Sequence, residues 1–187
     1  IRHEHIDFIG RFPGLTFASM LFTLLRHTPT VRMLGEELAA SSAKYDWPLF
    51  TPIGRIFAGW AMAQQGAVQD GLALIQSSID EERRRGIRLL EPYNRSLLAE
   101  TLALAGDFEY ALDEVTAALA YAEECGNCFW NAQLLKLQGD YRQMLSLPVS
   151  EAEACYQRAI AVAQRQGAKS LELRATISLC RLWQRQD

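Results

Sequence analysis

Small residues recur along this chain at a near-constant interval. Gly59, Ala99, Gly139 and Cys180 are 40, 40 and 41 positions apart, and each lies 13 residues after a turn-forming residue, Asp46, Gly86, Gly126 or Gly167. A fixed period of about 20 to 50 residues marks stacked repeats, in which each unit buries its apolar face only against its neighbours. The pattern predicts a scaffold and the kind of surface it presents; it does not name what binds there.

Within each period the sequence reads as helix throughout. Alanine, leucine, glutamine, arginine and glutamate dominate, and no stretch alternates with the period of two expected of a half-buried strand. Paired helices, A then B, fit the chain four times and leave a lone A helix. The expected spans are A1 14–26, B1 29–45, A2 48–65, B2 68–85, A3 89–105, B3 108–125, A4 128–145, B4 149–166 and A5 169–186. Gly86, Gly126 and Gly167 follow polar last turns and are expected to stop their helices in the left-handed conformation. Arg83, Arg84 and Arg85 precede one such stop, where positive charge offsets the helix dipole by about 0.3 to 1 kcal/mol per charge. Pro13, Pro29, Pro48, Pro92 and Pro148 fall near helix starts or in connections, where a missing N–H costs least.

The B helices share one stripe at i, i+4, i+7 and i+8: Gly71, Ile75, Ser78, Ile79, then Ala111, Val115, Ala118, Leu119, then Ala152, Tyr156, Ala159, Ile160. Its first and third members are small and its second and fourth mostly large. A neighbouring helix can therefore approach closely at one level and interdigitate at the next. Gly59, Ala99 and Gly139 are expected to play the same part on the A helices.

Composition narrows the function classes. With 187 residues, 49% of them hydrophobic, the chain can bury a substantial core. A net charge of -3, from 19 basic and 22 acidic residues, gives no global field to attract nucleic acid or an anionic membrane, so neither is an expected partner. The apolar stretch Phe17 to Leu25 is far short of the roughly 20 residues of a membrane span, and Arg26 follows it. No signal sequence opens the chain, and four sparse cysteines fit reduced thiols, so the expected location is cytoplasmic. The chain starts on Ile1 rather than Met, as expected of a piece of something longer.

Gly106-Asp107-Phe108 followed by Ala111, Val115, Ala118 and Leu119, with the small residue at position 8 of the preceding helix, resembles the tetratricopeptide (TPR) repeat. Gly66-Ala67-Val68 with Gly71, Ile75 and Ile79 is a looser copy. In the fourth unit Leu147-Pro148-Val149 replaces the turn, although Ala152, Tyr156, Ala159 and Ile160 persist; the first unit carries Val31, Gly35 and Leu38. The period of about 40 exceeds the 34 of the standard repeat. The expected fold is all-α: a right-handed α-solenoid of four TPR-like helical hairpins plus a C-terminal capping helix. It forms a single repeat domain over 1–187, with units at about 14–46, 47–86, 87–126 and 127–167 and a cap at 168–187, and 1–12 are expected as a flexible or partial N-terminal segment.

A second resemblance is carried by Glu151 to Gln186, EAEACYQRAIAVAQRQGAKSLELRATISLCRLWQRQ. It is similar to the C-terminal repeat region of large bacterial signalling proteins. In these a class III nucleotide (adenylate-type) cyclase or a DNA-binding domain precedes an AAA/STAND-type ATPase and a TPR tail. The resemblance implies a regulatory module whose catalytic or DNA-binding parts lie upstream of Ile1, with an intramolecular contact to the ATPase.

The residues of this chain assemble no catalytic constellation, so no enzyme activity, metal or cofactor is expected of it. Gly167-Ala168-Lys169-Ser170 lacks the second glycine and the preceding strand of a phosphate-binding loop. Cys125 and Cys128 form a CxxC with no second close pair to complete a zinc site; they read as turn and packing residues, with a thiol sensor as the alternative. His3, His5, Glu4 and Asp7 cluster near the start of the chain, His27 stands alone, and no triad can be built from these histidines. The pairs Glu81-Glu82 and Glu123-Glu124 fall on polar helix ends.

In TPR arrays the inner groove is lined by A-helix positions 2, 5, 9 and 12, one face of the helix. Counted from the small residue at position 8, these are Ile53, Ile56, Trp60 and Ala63 on A2, and Tyr93, Ser96, Glu100 and Ala103 on A3. On A4 they are Gln133, Lys136, Asp140 and Gln143, and on A5 Arg174, Ile177, Arg181 and Gln184. The expected concave surface passes from apolar to charged and suits a protein or peptide segment with a hydrophobic and an acidic end, Trp60 and Tyr93 acting as anchors and Arg174 and Arg181 as carboxylate partners; packing of Trp60 and Tyr93 against the next repeat is the alternative for those two. The main alternative is self-association into a homodimer through Leu179, Leu182 and Trp183 on the last helix; a small-molecule sensor is the other.

Overall fold

The computed structural model describes the backbone of residues 2–186 and the side chains of residues 10–186. Helices account for nearly all of it: α1 (Arg2–Leu24), α2 (Thr28–Lys44), α3 (Phe50–Gln64), α4 (Val68–Arg85), α5 (Glu91–Leu104), α6 (Phe108–Cys125), α7 (Asn131–Met144), α8 (Val149–Gln166) and α9 (Lys169–Gln184), with a 3₁₀ turn at Cys128–Trp130. No strand occurs among the described residues. The alternation of A and B helices expected from the 40-residue period is present, and B2, B3 and B4 coincide with α4, α6 and α8. Two expectations are corrected. The first helix starts at Arg2, not near residue 14, and runs through Pro13 in its interior. The fourth A helix starts at Asn131, because Cys128–Trp130 winds more tightly as 3₁₀. The chain divides into two compact units, Ile1–Leu89 and Leu90–Asp187.

In the first unit α2 packs on α3 and α3 on α4, while α1 packs on α2 and touches α3. Helix α3 is apolar nearly all round, as befits a helix covered on several sides. The contacts are close because side chains are missing at the crossings. A Cβ on Gly35 would stand 2.7 Å from the Gly54 carbonyl oxygen, and one on Gly59 would stand 2.8 Å from that of Gly71 and 2.9 Å from Ile75 Cγ1.

The second unit repeats the arrangement with different side chains. Helix α5 packs on α6, α7 on α6 and α8, and α9 on α8 and α7. Ala111, Val115, Ala118, Tyr156 and Ala159 are fully buried, so the stripe on the B helices is the core face. Gly126 ends α6 and Gly167 ends α8 with φ of 70° and 67°, the left-handed caps expected there. Cys180 breaks the pattern of its predecessors. Gly59, Ala99 and Gly139 are buried against a following B helix, whereas Cys180 is exposed, since no further helix covers α9 among the described residues.

Candidate functional site

The predicted groove positions differ sharply in exposure. On α3, Ile53, Ile56 and Trp60 are fully buried, and on α5 Tyr93 and Glu100 are buried as well. The expectation that Trp60 and Tyr93 stand out as anchors is therefore corrected. The Arg26 guanidinium lies over the Trp60 ring, 5.6 Å from its centroid. The Trp130 ring lies against Tyr93, with centroids 4.2 Å apart. Glu100 accepts a hydrogen bond from Gln133 Nε2 at 3.3 Å, itself a buried side chain. Ile53, Ile56, Trp60, Tyr93 and Glu100 thus offer no surface to a partner.

Other positions, Lys136, Asp140 and Gln143 on α7 and Arg181 on α9, remain accessible and gather around one depression. Lys136, Asp140, Gln143 and Met144 of α7, Tyr156 of α8, Ser178 and Arg181 of α9, and Arg185 just past its end line a pocket of about 310 Å³. Asp140 is its hub. Lys136 Nζ donates to Oδ2 at 2.5 Å, and Tyr156 Oη donates to Oδ1 at 2.9 Å, with Ser178 Oγ 3.5 Å from the same oxygen. Gln143 Nε2 donates in turn to the Tyr156 hydroxyl. Burial, reinforced by the Asp140 carboxylate, pushes the Tyr156 phenol well above its ordinary range, so it stays a donor. Arg181 and Arg185 are one helical turn apart and exposed, and neither guanidinium has an ion-pair partner among the described residues. Arg174 is half-buried on the same helix and does not line the pocket.

Of the pocket lining, Lys136, Asp140, Gln143 and Arg181 were expected in the groove, and Met144, Tyr156, Ser178 and Arg185 were not. Tyr156 was legible only as a core residue, because the ring is core and only the hydroxyl reaches the pocket. Arg185 carried a signal, its spacing of four from Arg181. A second depression, about 370 Å³, lies in the first unit over Ala39, Ala40, Ala43 and Ala58 and was not foreseen. Its rim residue Arg55 is held by Glu81 at 3.0 Å.

The remaining candidates are structural or fall outside what is described. Leu179 and Leu182 are buried with Ala152 and Tyr156, which corrects their assignment to a self-association face; of that trio Trp183 alone is exposed, and its indole donates to Glu153 at 3.2 Å. Gly167 caps α8, and Lys169 pairs with Glu172 at 2.9 Å. Hydrogen bonds from Lys169 and then Gln164 hold the Glu172 carboxyl below its usual range. His27 tilts against Phe22, with ring centroids 5.9 Å apart. The side chains of His3, His5, Glu4 and Asp7 lie outside the described residues. Among the described residues no three His, Cys, Asp or Glu side chains gather as metal ligands, and no helix is long and apolar enough to cross a membrane.

No protein-family model matches the chain. An uncharacterized protein of Rhizobium meliloti (strain 1021) is 30% identical over 124 residues, which is 66% of this chain and 12% of that protein. The chain thus spans a small fraction of that relative. Among solved structures, Bacillus thuringiensis PlcR in complex with the peptide PapR7 and DNA superposes with a TM-score of 0.67 at 10% identity, over 89% of this chain and 74% of PlcR. The TPR-like repeats of a putative kinesin light chain from Podosopora anserina superpose with a TM-score of 0.63 at 14% identity, over 93% of this chain and 86% of theirs. A point-substituted form of the same repeats gives 0.64 at 13% identity, over 93% and 85%. The fold is therefore that of the TPR-like helical-repeat proteins.

Proposed function

We propose that the chain is a non-catalytic recognition module that takes an acidic protein or peptide segment at the α7–α9 pocket. The observation that carries the reading is the pair Arg181 and Arg185, two exposed guanidiniums without a carboxylate partner among the described residues, beside a pocket whose one acid, Asp140, is engaged by Lys136 and Tyr156. Guanidiniums bind carboxylates through paired N–H donors, and a site with unmet donors favours an anionic group from outside. Met144, exposed on the pocket wall, supplies an apolar neighbour for an adjacent side chain. The complex of PlcR with a peptide lends support by analogy of fold.

In this reading the module is the regulatory part of a larger bacterial signalling protein, a cyclase, ATPase or transcriptional regulator. The resemblance of Glu151 to Gln186 supports it, as does the small share of the Rhizobium meliloti protein that the chain spans. The test is equilibrium binding of a fluorescent peptide rich in Glu and Leu to the chain and to an Arg181→Ala/Arg185→Ala variant. Binding to the chain that weakens with salt and falls at least tenfold in the variant is expected. Equal binding by both proteins, or none by the chain, refutes the assignment.

Self-association is the second reading. Leu173, Ile177 and Trp183 are exposed along α9 beside Cys180 and would be covered in a dimer. Light scattering over a range of concentrations decides it: a constant monomer mass eliminates this reading.

A further inference from the structure

The turn after α6 brings two thiols together. Cys125 is the last residue of α6 and Cys128 the first of the 3₁₀ turn, with Gly126 and Asn127 between them. Both are exposed, and neither is bridged to another cysteine. Their sulfurs lie against the same acceptor, the Ala122 carbonyl oxygen, at 3.9 Å from Cys125 Sγ and 3.6 Å from Cys128 Sγ. Both side chains therefore point to one side of the turn.

The turn does not need cysteine. The same backbone path recurs after α8, where Gly167 has φ 67° and Ala168 φ -84° and ψ 72°, close to the φ -89° and ψ 66° of Asn127. At that turn the positions of the two thiols hold Gln166 and Lys169. A left-handed glycine shapes both turns, and what stands on either side is free to vary. A vicinal pair of exposed thiols at one of them is therefore an addition to the fold.

We propose that Cys125 and Cys128 form a reversible redox modification site that closes to an intramolecular disulfide by exchange with a low-molecular-weight disulfide. In the first step the thiolate of one cysteine attacks one sulfur of the small disulfide, forming a mixed disulfide and expelling the other half as a thiolate. The second cysteine, as thiolate, then attacks the protein sulfur of the mixed disulfide, forms the Cys125–Cys128 bond and expels the second half. The protein gives up two electrons and two protons, and the small disulfide becomes two thiols. Once the mixed disulfide forms, the second thiol is already beside it.

Closure has a structural consequence. It draws the sulfurs off the Ala122 carbonyl and shifts the main chain of Cys128, whose carbonyl accepts from Gln166 Nε2 at 3.0 Å, as that of Phe129 does at 3.2 Å. Two residues further on, Trp130 carries the tilted ring contact with Tyr93. Oxidation therefore loosens the tie between the end of α8 and the start of the fourth A helix, at a place separate from the α7–α9 pocket.

The experiment equilibrates the whole chain in glutathione buffers of graded reduced-to-oxidised ratio, blocks remaining thiols by alkylation, and reads intact mass and peptide maps. The expected product lacks two hydrogens, contains a Cys125–Cys128 linked peptide, and is lost in Cys125→Ser and Cys128→Ser but kept in Cys180→Ser. Hydrogen exchange of residues 127–131 is expected to quicken on oxidation. Circular dichroism confirms that the serine variants fold. Glutathione adducts alone with no internal bond in the unsubstituted chain, or a product lacking two hydrogens that persists in Cys125→Ser, overturns the proposal.

Discussion

The ring of Tyr156 lies against the bare backbone of Gly139, and its hydroxyl reaches past it to the carboxylate of the next residue. A Cβ on Gly139 would stand 2.6 Å from Tyr156 Cε1, while Tyr156 Oη donates to Asp140 Oδ1 at 2.9 Å. One close approach thus serves both the α7–α8 packing and the floor of the pocket. Gly139→Ala should cost about 1 to 3 kcal/mol, since the ring is fully buried and cannot swing aside. Chemical denaturation measures the loss; an unchanged midpoint would mean that the ring has room to move.

Tyr156 also gives stability a dependence on alkaline pH. Burial first, then the Asp140 carboxylate, raises its folded-state pKa above the ordinary value near 10. The unfolded chain then loses the phenolic proton at a pH where the folded chain keeps it. The contribution is complete below about pH 10 and is lost as the pH rises beyond it. Tyr156→Phe should cost about 1 kcal/mol at neutral pH through its lost hydrogen bonds and should flatten the decline in stability between about pH 9 and 11. Denaturation across that range checks both effects.

Two glycines of the first unit should respond to alanine in opposite directions. At Gly59 the added Cβ meets the Gly71 carbonyl oxygen and Ile75, with backbone on one side that cannot yield, and a loss of about 1 to 3 kcal/mol is expected. At Gly14, exposed within α1, a Cβ meets nothing within 4 Å. There Gly14→Ala should stabilise by about 0.5 to 1 kcal/mol, because alanine restricts the unfolded chain and favours helix. Melting of the two variants side by side separates crowding from propensity.

The fold was readable because its close contacts demand small side chains, and small residues at a fixed period survive as a pattern in the sequence. Gly59 and Gly139 announced the helix crossings in this way. The exposure of Trp60 and Tyr93 was not readable, because it depends on residues far away in sequence. Arg26 reaches Trp60 from the α1–α2 connection, and Trp130 reaches Tyr93 from a 3₁₀ turn. Counting along one helix says which way a side chain points and leaves open what meets it. Arg181 and Lys136 kept their accessibility because their helices carry polar residues on that side, so charge there was a better guide than aromatic character.

Arg95 holds α5 to α6 in the second unit and offers a test of how much one clamp contributes. Its guanidinium meets Glu114 across the helix pair at 2.7 Å and Glu91 on its own helix at 3.1 Å, with only 15% of the side chain exposed. Charge-assisted hydrogen bonds in so sheltered a place are worth more than surface pairs, whereas removal of the cation leaves two carboxylates facing each other. Arg95→Ala should therefore destabilise by about 2 to 3 kcal/mol. Arg95→Lys should recover part of that, since an ammonium supplies the charge without the fork that reaches both acids. In Arg95→Ala, Glu114→Gln should restore some of the loss by removing the repulsion, and a double-mutant cycle on denaturation midpoints measures the coupling. Additive effects of the two substitutions would show that Arg95 acts by packing its aliphatic stem rather than by its charge.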